Sequence, residues 1–269
     1  MVAFPPCKIN LGLNILGKRV DGYHDLVTCF YPVPWRDALE IVPASDFRFN
    51  ISGIPVPGAA VDNLCVRAYE LVKKEYGIKP VAMHLHKVVP IGAGLGGGSA
   101  DGAFALKLLN DIFGLALTSD ELRRHAAVLG SDCAFFIDPK PAIGEGRGDI
   151  LSTTSLSLKG KFLVIVTPEV KISTAEAFSG INPGTPKISI QEVVERDLRE
   201  WKQLLQNDFE AHLFQRFPII EALQQKFYAL DATYASLSGS GSSVYGIFER
   251  EVALNKEFED VTYWSGFLD

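Results

Sequence analysis

Between residues 88 and 115 the chain reads VVPIGAGLGGGSADGAFALKLLNDIFGL. Five of the seven residues from Gly92 to Gly98 are glycine, a β-branched run precedes them, and apolar residues at helical spacing (Phe104, Leu108, Ile112) follow. Glycine reaches positive φ without steric penalty and lets another group approach the backbone closely. A glycine loop that opens a helix also presents free N–H groups at the positive end of the helix dipole. Together these make a cradle for an anion, most commonly a phosphate. Gly92, Gly94 and Gly97 satisfy G-x-G-x-x-G, but the dinucleotide fold then requires a strand ending in an acidic residue, and the segment that follows, TSDELRRH, is helical. No Lys follows the glycines, which excludes the G-x-x-x-x-G-K-[ST] loop. The H-R-D and D-F-G signatures of protein kinases are missing.

Other residues add chemistry. Lys8 lies on an alternating strand and could face a ligand. Tyr23 and His24 follow an Asp21-Gly22 turn; a tyrosine face can stack on a base and an imidazole can read its polar edge. Asp132 stands between a helical pattern and the apolar segment CAFFI, a setting that favours partial burial. Ser238 to Ser243 form a second glycine-rich loop between two strands. His84 and His86 share one strand face, but no third ligand accompanies them, so they read as exposed strand histidines rather than a metal site.

The stretch Pro90-x-x-x-Gly94-Leu95-Gly96-Gly97-Gly98-Ser99-Ala100-Asp101 resembles the phosphate loop of the GHMP small-molecule kinases. The resemblance spans nearly the whole chain. Pro6-Cys7-Lys8-Ile9-Asn10-Leu11 is similar to the family's A-K-I-N-L, with Cys7 in place of Ala, and Asp21-Gly22-Tyr23-His24 to its D-G-Y-H. Gly130-Ser131-Asp132 is similar to the segment carrying its catalytic aspartate. Ile172-Ser173-Thr174 with Phe178, and Ser238 to Ser243, are similar to two further motifs.

The resemblance implies phosphoryl transfer from ATP to a hydroxyl of a small sugar alcohol that carries a cytidine diphosphate. Lys8 and Asp132 would be catalytic, Asp132 taking the hydroxyl proton and Lys8 stabilising negative charge and keeping Asp132 ionised. Pro90, Gly92, Gly94, Leu95, Gly96, Gly97, Gly98 and Ser99 would hold the ATP phosphates. Mg²⁺ would bridge those phosphates, with Ser99 as the one ligand suggested and the family's Glu ligand not located. Asn63 and Lys87 would touch the adenosine. Tyr23 and Phe178 would sandwich the cytosine, His24 would read its edge, and Asn10, Thr174, Gly239, Ser240 and Gly241 would hold the rest of the substrate. Gly102 departs from the family's usual Ala and implies a helix penalty of up to about 1 kcal/mol. Other readings are a mevalonate- or homoserine-type GHMP kinase, whose substrates have no base to stack, and a non-catalytic nucleotide-binding regulator, which would dispense with Lys8 or Asp132.

The elements that must position these residues alternate between strand and helix, which gives an α/β and α+β class. Strands are expected over KINLGLNIL (half-buried), LVTCFYPV, DALEIVPA, FRFNISGIP and VAMHLHKVV. Helices are expected over LCVRAYELVKKEYG with an Asp62 or Asn63 cap, from Ser99 to about Phe113, and over 118–130 from a Thr118 or Ser119 cap. KFLVIVTP reads as a central strand. Beyond it the pattern gives helices over 190–205, 207–215, 218–229 and 251–258 and strands over 233–237, 243–248 and 261–265. The Ser/Thr-rich LSTTSLSLKG reads as a boundary between an N-terminal α/β domain (1–158) and a C-terminal domain (159–269), which the resemblance makes ferredoxin-like.

With 269 residues, a net charge of −6 and 22% charged residues, the chain has ordinary globular composition and no basic face for nucleic acid. Cys7, Cys29, Cys65 and Cys133 show no metal spacing and read as reduced thiols. No signal-peptide pattern and no membrane-length apolar run is present, so a cytoplasmic protein without a membrane partner is expected. No pattern in the chain encodes an oligomeric state.

Overall fold

The computed structural model describes all 269 residues. Its strands are β1 (Val2–Ala3), β2 (Pro6–Lys18), β3 (His24–Arg36), β4 (Ala38–Pro43), β5 (Arg48–Gly53), β6 (Val81–Lys87), β7 (Ala142–Glu145), β8 (Ile150–Thr153), β9 (Phe162–Thr167), β10 (Tyr234–Leu237), β11 (Val244–Phe248) and β12 (Thr262–Phe267). Its helices are α1 (Leu64–Tyr76), α2 (Gly97–Phe113), α3 (Ser119–Leu129), α4 (Thr174–Ser179), α5 (Ile190–Val194), α6 (Trp201–Leu204), α7 (Phe209–Arg216) and α8 (Pro218–Ala229). No helix is long and apolar enough to cross a membrane. The chain divides into two compact units, the first of residues Met1–Cys7, Trp35–Ile91 and Gly96–Lys140, the second of Lys8–Pro34, Gly92–Leu95 and Pro141–Asp269.

The first unit is built on a sheet of order β1-β4-β6-β5. β6 alternates strictly, burying Val81, Met83, Leu85 and Lys87 and exposing His84 and His86. Both histidine rings hydrogen-bond the Ser52 hydroxyl, at 2.8 and 2.9 Å. The helices begin and end as their caps dictate. Asn63 accepts from the Cys65 N–H and Gly77 closes α1 in the left-handed region, while Thr118 and Glu121 form a reciprocal capping box on α3. α1 packs on α2 at Gly102, where a Cβ would lie 2.8 Å from Leu64 Cβ. The propensity loss expected at Gly102 is therefore secondary to the close approach of two helices that it permits.

The second unit carries a sheet of order β2-β3-β7-β8 and another of order β10-β11-β9-β12. β9 is an interior strand and all six of its residues are buried, as the apolar run predicts. The core gathers Leu13, Val164, Val166, Phe209, Phe227 and Leu237.

Several expectations are corrected. β2 is buried from Cys7 to Ile15 rather than on one face, because its polar residues Lys8, Asn10 and Asn14 all find hydrogen-bond partners. The single helix over 190–205 is broken: α5 ends at Val194, and Asp197 accepts from the Arg199 N–H to start a separate 3-10 turn at Leu198–Glu200. Residues 251–258 form no α-helix, only a 3-10 turn at Asn255–Glu257; the segment is too short to nucleate alone, and Val252, Leu254 and Phe258 pack on the core instead. In the segment LSTTSLSLKG, Leu151–Thr153 lies in β8 paired with β7, and each of the two compact units is assembled from several separate stretches of chain.

Gly102→Ala tests the helix contact. On propensity alone the change would stabilise; with the Leu64 contact it is expected to destabilise by about 1–2 kcal/mol, read as a lower midpoint in denaturant. A raised midpoint would show that α1 and α2 tolerate the methyl group.

Candidate active site

Lys8 and Asn10, two residues apart on β2, are 3% and 2% exposed. Strand geometry puts them on one face, and the Lys8 ammonium donates to Asn10 Oδ1 (2.5 Å) and to the Gly94 carbonyl (2.9 Å), 5.5 Å from the Phe30 ring centroid. Asn10 is fixed in turn. Its Nδ2 donates to Thr28 Oγ1 (3.0 Å), which donates to the Gly12 carbonyl, and its own carbonyl accepts from the Tyr245 hydroxyl (2.8 Å). Asn10 thus orients the lysine, a role the sequence reading did not assign to it.

The two glycine-rich loops meet within the second unit. A Cβ on Gly94, whose φ is +80°, would lie 1.9 Å from the Ser238 carbonyl oxygen. Ser238 Oγ donates to the Gly94 carbonyl (2.9 Å) and the Ser243 N–H to the Ala93 carbonyl (3.1 Å). A Cβ on Gly239 would sit 3.2 Å from Asn10 Oδ1, and Gly241 N–H donates back to the Ser238 carbonyl (3.0 Å). Asn207, buried and unflagged by the sequence, pins the second loop by donating to the Leu237 (2.9 Å) and Gly239 (2.8 Å) carbonyls. Ser240 is half-buried between these fixed glycines.

In the first unit, α2 starts from Gly96 in the left-handed conformation with no side-chain cap. The N–H groups of Gly97, Gly98 and Ser99 therefore have no carbonyl partner within the helix. A Cβ on Gly98 would meet nothing within 4 Å. Open backbone N–H groups at a helix start fit the phosphates of a nucleotide. Burial pushes the Cys133 thiol up to about 12, with Ser99 pulling it down. No group of three or more His, Cys, Asp or Glu side chains is placed to hold a metal by itself. Asp132 is half-buried, the second residue of a 3-10 turn, Ser131–Ile137, that follows α3.

Two expected adenosine contacts have other employment. Lys87 is 3% exposed and its ammonium donates to Asp37 and, at 2.8 Å, to Asp101. A cation in that setting cannot reach a ligand without breaking two buried ion pairs. Asn63 Oδ1 is the α1 cap, accepting from Cys65 N–H at 2.9 Å.

The aromatic residues lie in the second unit. Tyr23 is 54% exposed; its N–H donates to Asp21 Oδ1 (3.1 Å), and the Arg147 guanidinium lies 5.0 Å over its ring. Arg147 is itself held by Asp149. His24 stacks directly on Phe178, with centroids 4.5 Å apart, and Phe178 rests edge-on against Phe209 at 4.9 Å. No base fits between His24 and Phe178 at that spacing, so a base would have to use the outer face of the pair or the free face of Tyr23. Thr174 opens α4, which Ser173 caps.

Comparison with known proteins adds the following. Residues 63–138 match the family model described as GHMP kinases N terminal domain, and 189–263 that described as GHMP kinases C terminal. A Bacteroides fragilis protein named 4-diphosphocytidyl-2-C-methyl-D-erythritol kinase is 50% identical over 264 residues, 96% of each chain. A Parabacteroides distasonis protein of the same name is 46% identical over 100% of both. A crystal structure of 4-(cytidine 5'-diphospho)-2C-methyl-D-erythritol kinase superposes with a TM-score of 0.85 at 29% identity, covering 100% of this chain and 99% of that one. The Methanococcus jannaschii mevalonate kinase, at 17% identity and a TM-score of 0.72 over 100% and 98% of the chains, shares the fold.

The two kinds of glycine are separable by thermal melting. Gly94→Ala combines positive-φ strain with a backbone clash and is expected to destabilise by about 3 kcal/mol or more. Gly98→Ala points into open space on a helix and is expected to leave stability unchanged or raise it by up to about 1 kcal/mol. Equal losses at both positions would contradict the packing described for Gly94.

Proposed function

The chain belongs to the GHMP kinase family, and on that premise we propose that it transfers the γ-phosphoryl group of ATP to the 2-hydroxyl of 4-diphosphocytidyl-2-C-methyl-D-erythritol. The products are the 2-phosphate and ADP, and the step serves isoprenoid precursor synthesis by the non-mevalonate route. The observation that carries the reading is 50% identity over 96% of the chain to a kinase of that name. The buried lysine on β2 and the uncapped helix behind the glycine loop are features such chemistry needs.

An alcohol ionises far above neutral pH, so transfer depends on alignment, charge neutralisation and a proton acceptor. Asp132 takes the hydroxyl proton. Lys8, held by Asn10 Oδ1 and the Gly94 carbonyl, stabilises charge developing on the transferred group. The N–H groups of Gly97, Gly98 and Ser99 receive the nucleotide phosphates. The Ser99 hydroxyl would help hold Mg²⁺, which would supply further charge neutralisation at the phosphates. Tyr23 offers its free face to the cytosine while Arg147 backs the other. His24 with Phe178 forms the opposing aromatic wall, and Thr174, Ser240 and the glycines beside it hold the remainder of the substrate. The protein acts in the cytoplasm on small molecules, without nucleic acid or membrane.

The direct test is coupled ADP release with ATP and Mg²⁺, comparing 4-diphosphocytidyl-2-C-methyl-D-erythritol with mevalonate, homoserine and no acceptor. Turnover with the cytidyl substrate alone is expected; turnover only with another acceptor would discard the cytosine site. Asp132→Asn is expected to lower kcat by about 10²–10⁴-fold with ATP binding retained, and surviving activity would remove Asp132 as the base. Tyr23→Ala is expected to raise KM for the cytidyl substrate about tenfold or more with KM for ATP unchanged. An unaltered substrate KM would refute the stacking role.

A further inference from the structure

The first unit holds three charged side chains out of water: Asp37, Lys87 and Asp101 are 1%, 3% and 2% exposed. Ions seldom leave water without close partners, and here the partners form a continuous path. Asp37 Oδ1 accepts from the N–H groups of Val88 (2.6 Å) and Val89 (2.9 Å), the two residues that follow β6. Its other oxygen accepts from Lys87 Nζ, which also donates to Asp101 Oδ2 at 2.8 Å. Asp101 lies in the second turn of α2. A Cβ on Gly97, the first residue of α2, would lie 3.3 Å from Lys87 Nζ and 3.1 Å from Val89 Cγ1. The ammonium thus sits directly beneath the helix start whose N–H groups are open. One acceptor is left over, since Asp101 Oδ1 is buried without a hydrogen-bond partner.

Resting on the kinase reading, we propose that Asp37, Lys87 and Asp101 are positioning residues for the nucleotide. They form a buried clamp that fixes the start of α2 from beneath. None of the three touches the ligand; they act through the backbone of Gly97 to Ser99. Burial pushes the Asp101 carboxyl up to about 7, with Lys87 pulling it down. Burial opposes the charge on Lys87, but the two carboxylates outweigh it and hold the ammonium above its ordinary value. Cys65, facing the triad from α1, is pushed well up by burial and stays neutral.

The test is calorimetric titration of ATP, with steady-state kinetics and melting curves, on the wild type, Asp101→Asn and Asp37→Asn. Asp101→Asn, which brings an amide against Lys87, is expected to weaken the Kd for ATP about three- to tenfold with kcat within about twofold. Asp37→Asn, which brings an amide against Lys87 and loosens Val88 and Val89, is expected to raise KM for ATP about tenfold with kcat within about twofold. An unchanged Kd for ATP in a folded Asp101→Asn, with only the melting temperature moved, would overturn the clamp. So would an unchanged KM for ATP in a folded Asp37→Asn. A wild type that binds no ATP would overturn the kinase reading and this inference with it.

Discussion

The carbonyl oxygen of Gly94 accepts two hydrogen bonds at 2.9 Å, one from the Lys8 ammonium and one from Ser238 Oγ. One atom thereby joins β2 to both glycine-rich loops. The constraint behind it is the desolvation of Lys8: an ammonium withdrawn from water must be given acceptors by the protein. Asn10 Oδ1 is the second acceptor, and Asn10 is held by Thr28 and Tyr245. The Gly94 carbonyl can be presented there only because its Cα passes against the Ser238 backbone, where any Cβ would collide. The glycine run therefore serves two purposes. Gly94 permits contact between backbones, while Gly98 leaves backbone open.

The start of α2 shows the same economy in reverse. α1, α3, α4 and α5 each begin with an Asn, Thr or Ser side chain that accepts from an early N–H. α2, at 17 residues the longest helix, begins with glycine and, like α6, α7 and α8, has no such cap. A side-chain cap would lower its free energy by about 1 kcal/mol, and without one the first N–H groups stay open to a ligand. The side of the helix away from the open N–H groups is not left loose. Gly97 lies against Val89 and Lys87, and the Leu64 backbone and Cβ lie against Gly102. A helix start that must bind an anion without moving has to be held from its other faces.

What was legible in the chain was local. The Thr118 and Glu121 box, the Asn63 and Gly77 caps, the α8 span and the buried run of β9 are each written within a few consecutive residues. The order of the motifs made the family readable as well. What was hidden depends on distance along the chain. The partners of Lys87 lie 50 and 14 residues away, so its position beside the glycines suggested a ligand contact when its charge is already matched. Gly102 looked like a flaw in a helix until Leu64 was placed against it. Asn207 gave no signal, because an asparagine that pins a loop resembles any other in composition. β2 misled because alternation implies one wet face only when its polar residues lack partners inside.

The aromatic residues follow a different logic from the phosphate end. Tyr23 stands on a turn whose ion pairs, Arg19 with Asp21 and Asp25, are largely exposed, and exposed pairs contribute little to stability. Its ring gains rigidity from the Arg147 guanidinium on one face, which leaves the other face for a ligand. Phe178, by contrast, is supported by Phe209 beneath and His24 above, and so belongs to the core as much as to any site. One aromatic wall is thus set by the fold and the other by a surface turn. Substitutions at Phe178 must disturb packing and recognition together, whereas those at Tyr23 can alter recognition with the core intact. Tyr23 is therefore the position at which base recognition can be measured apart from stability.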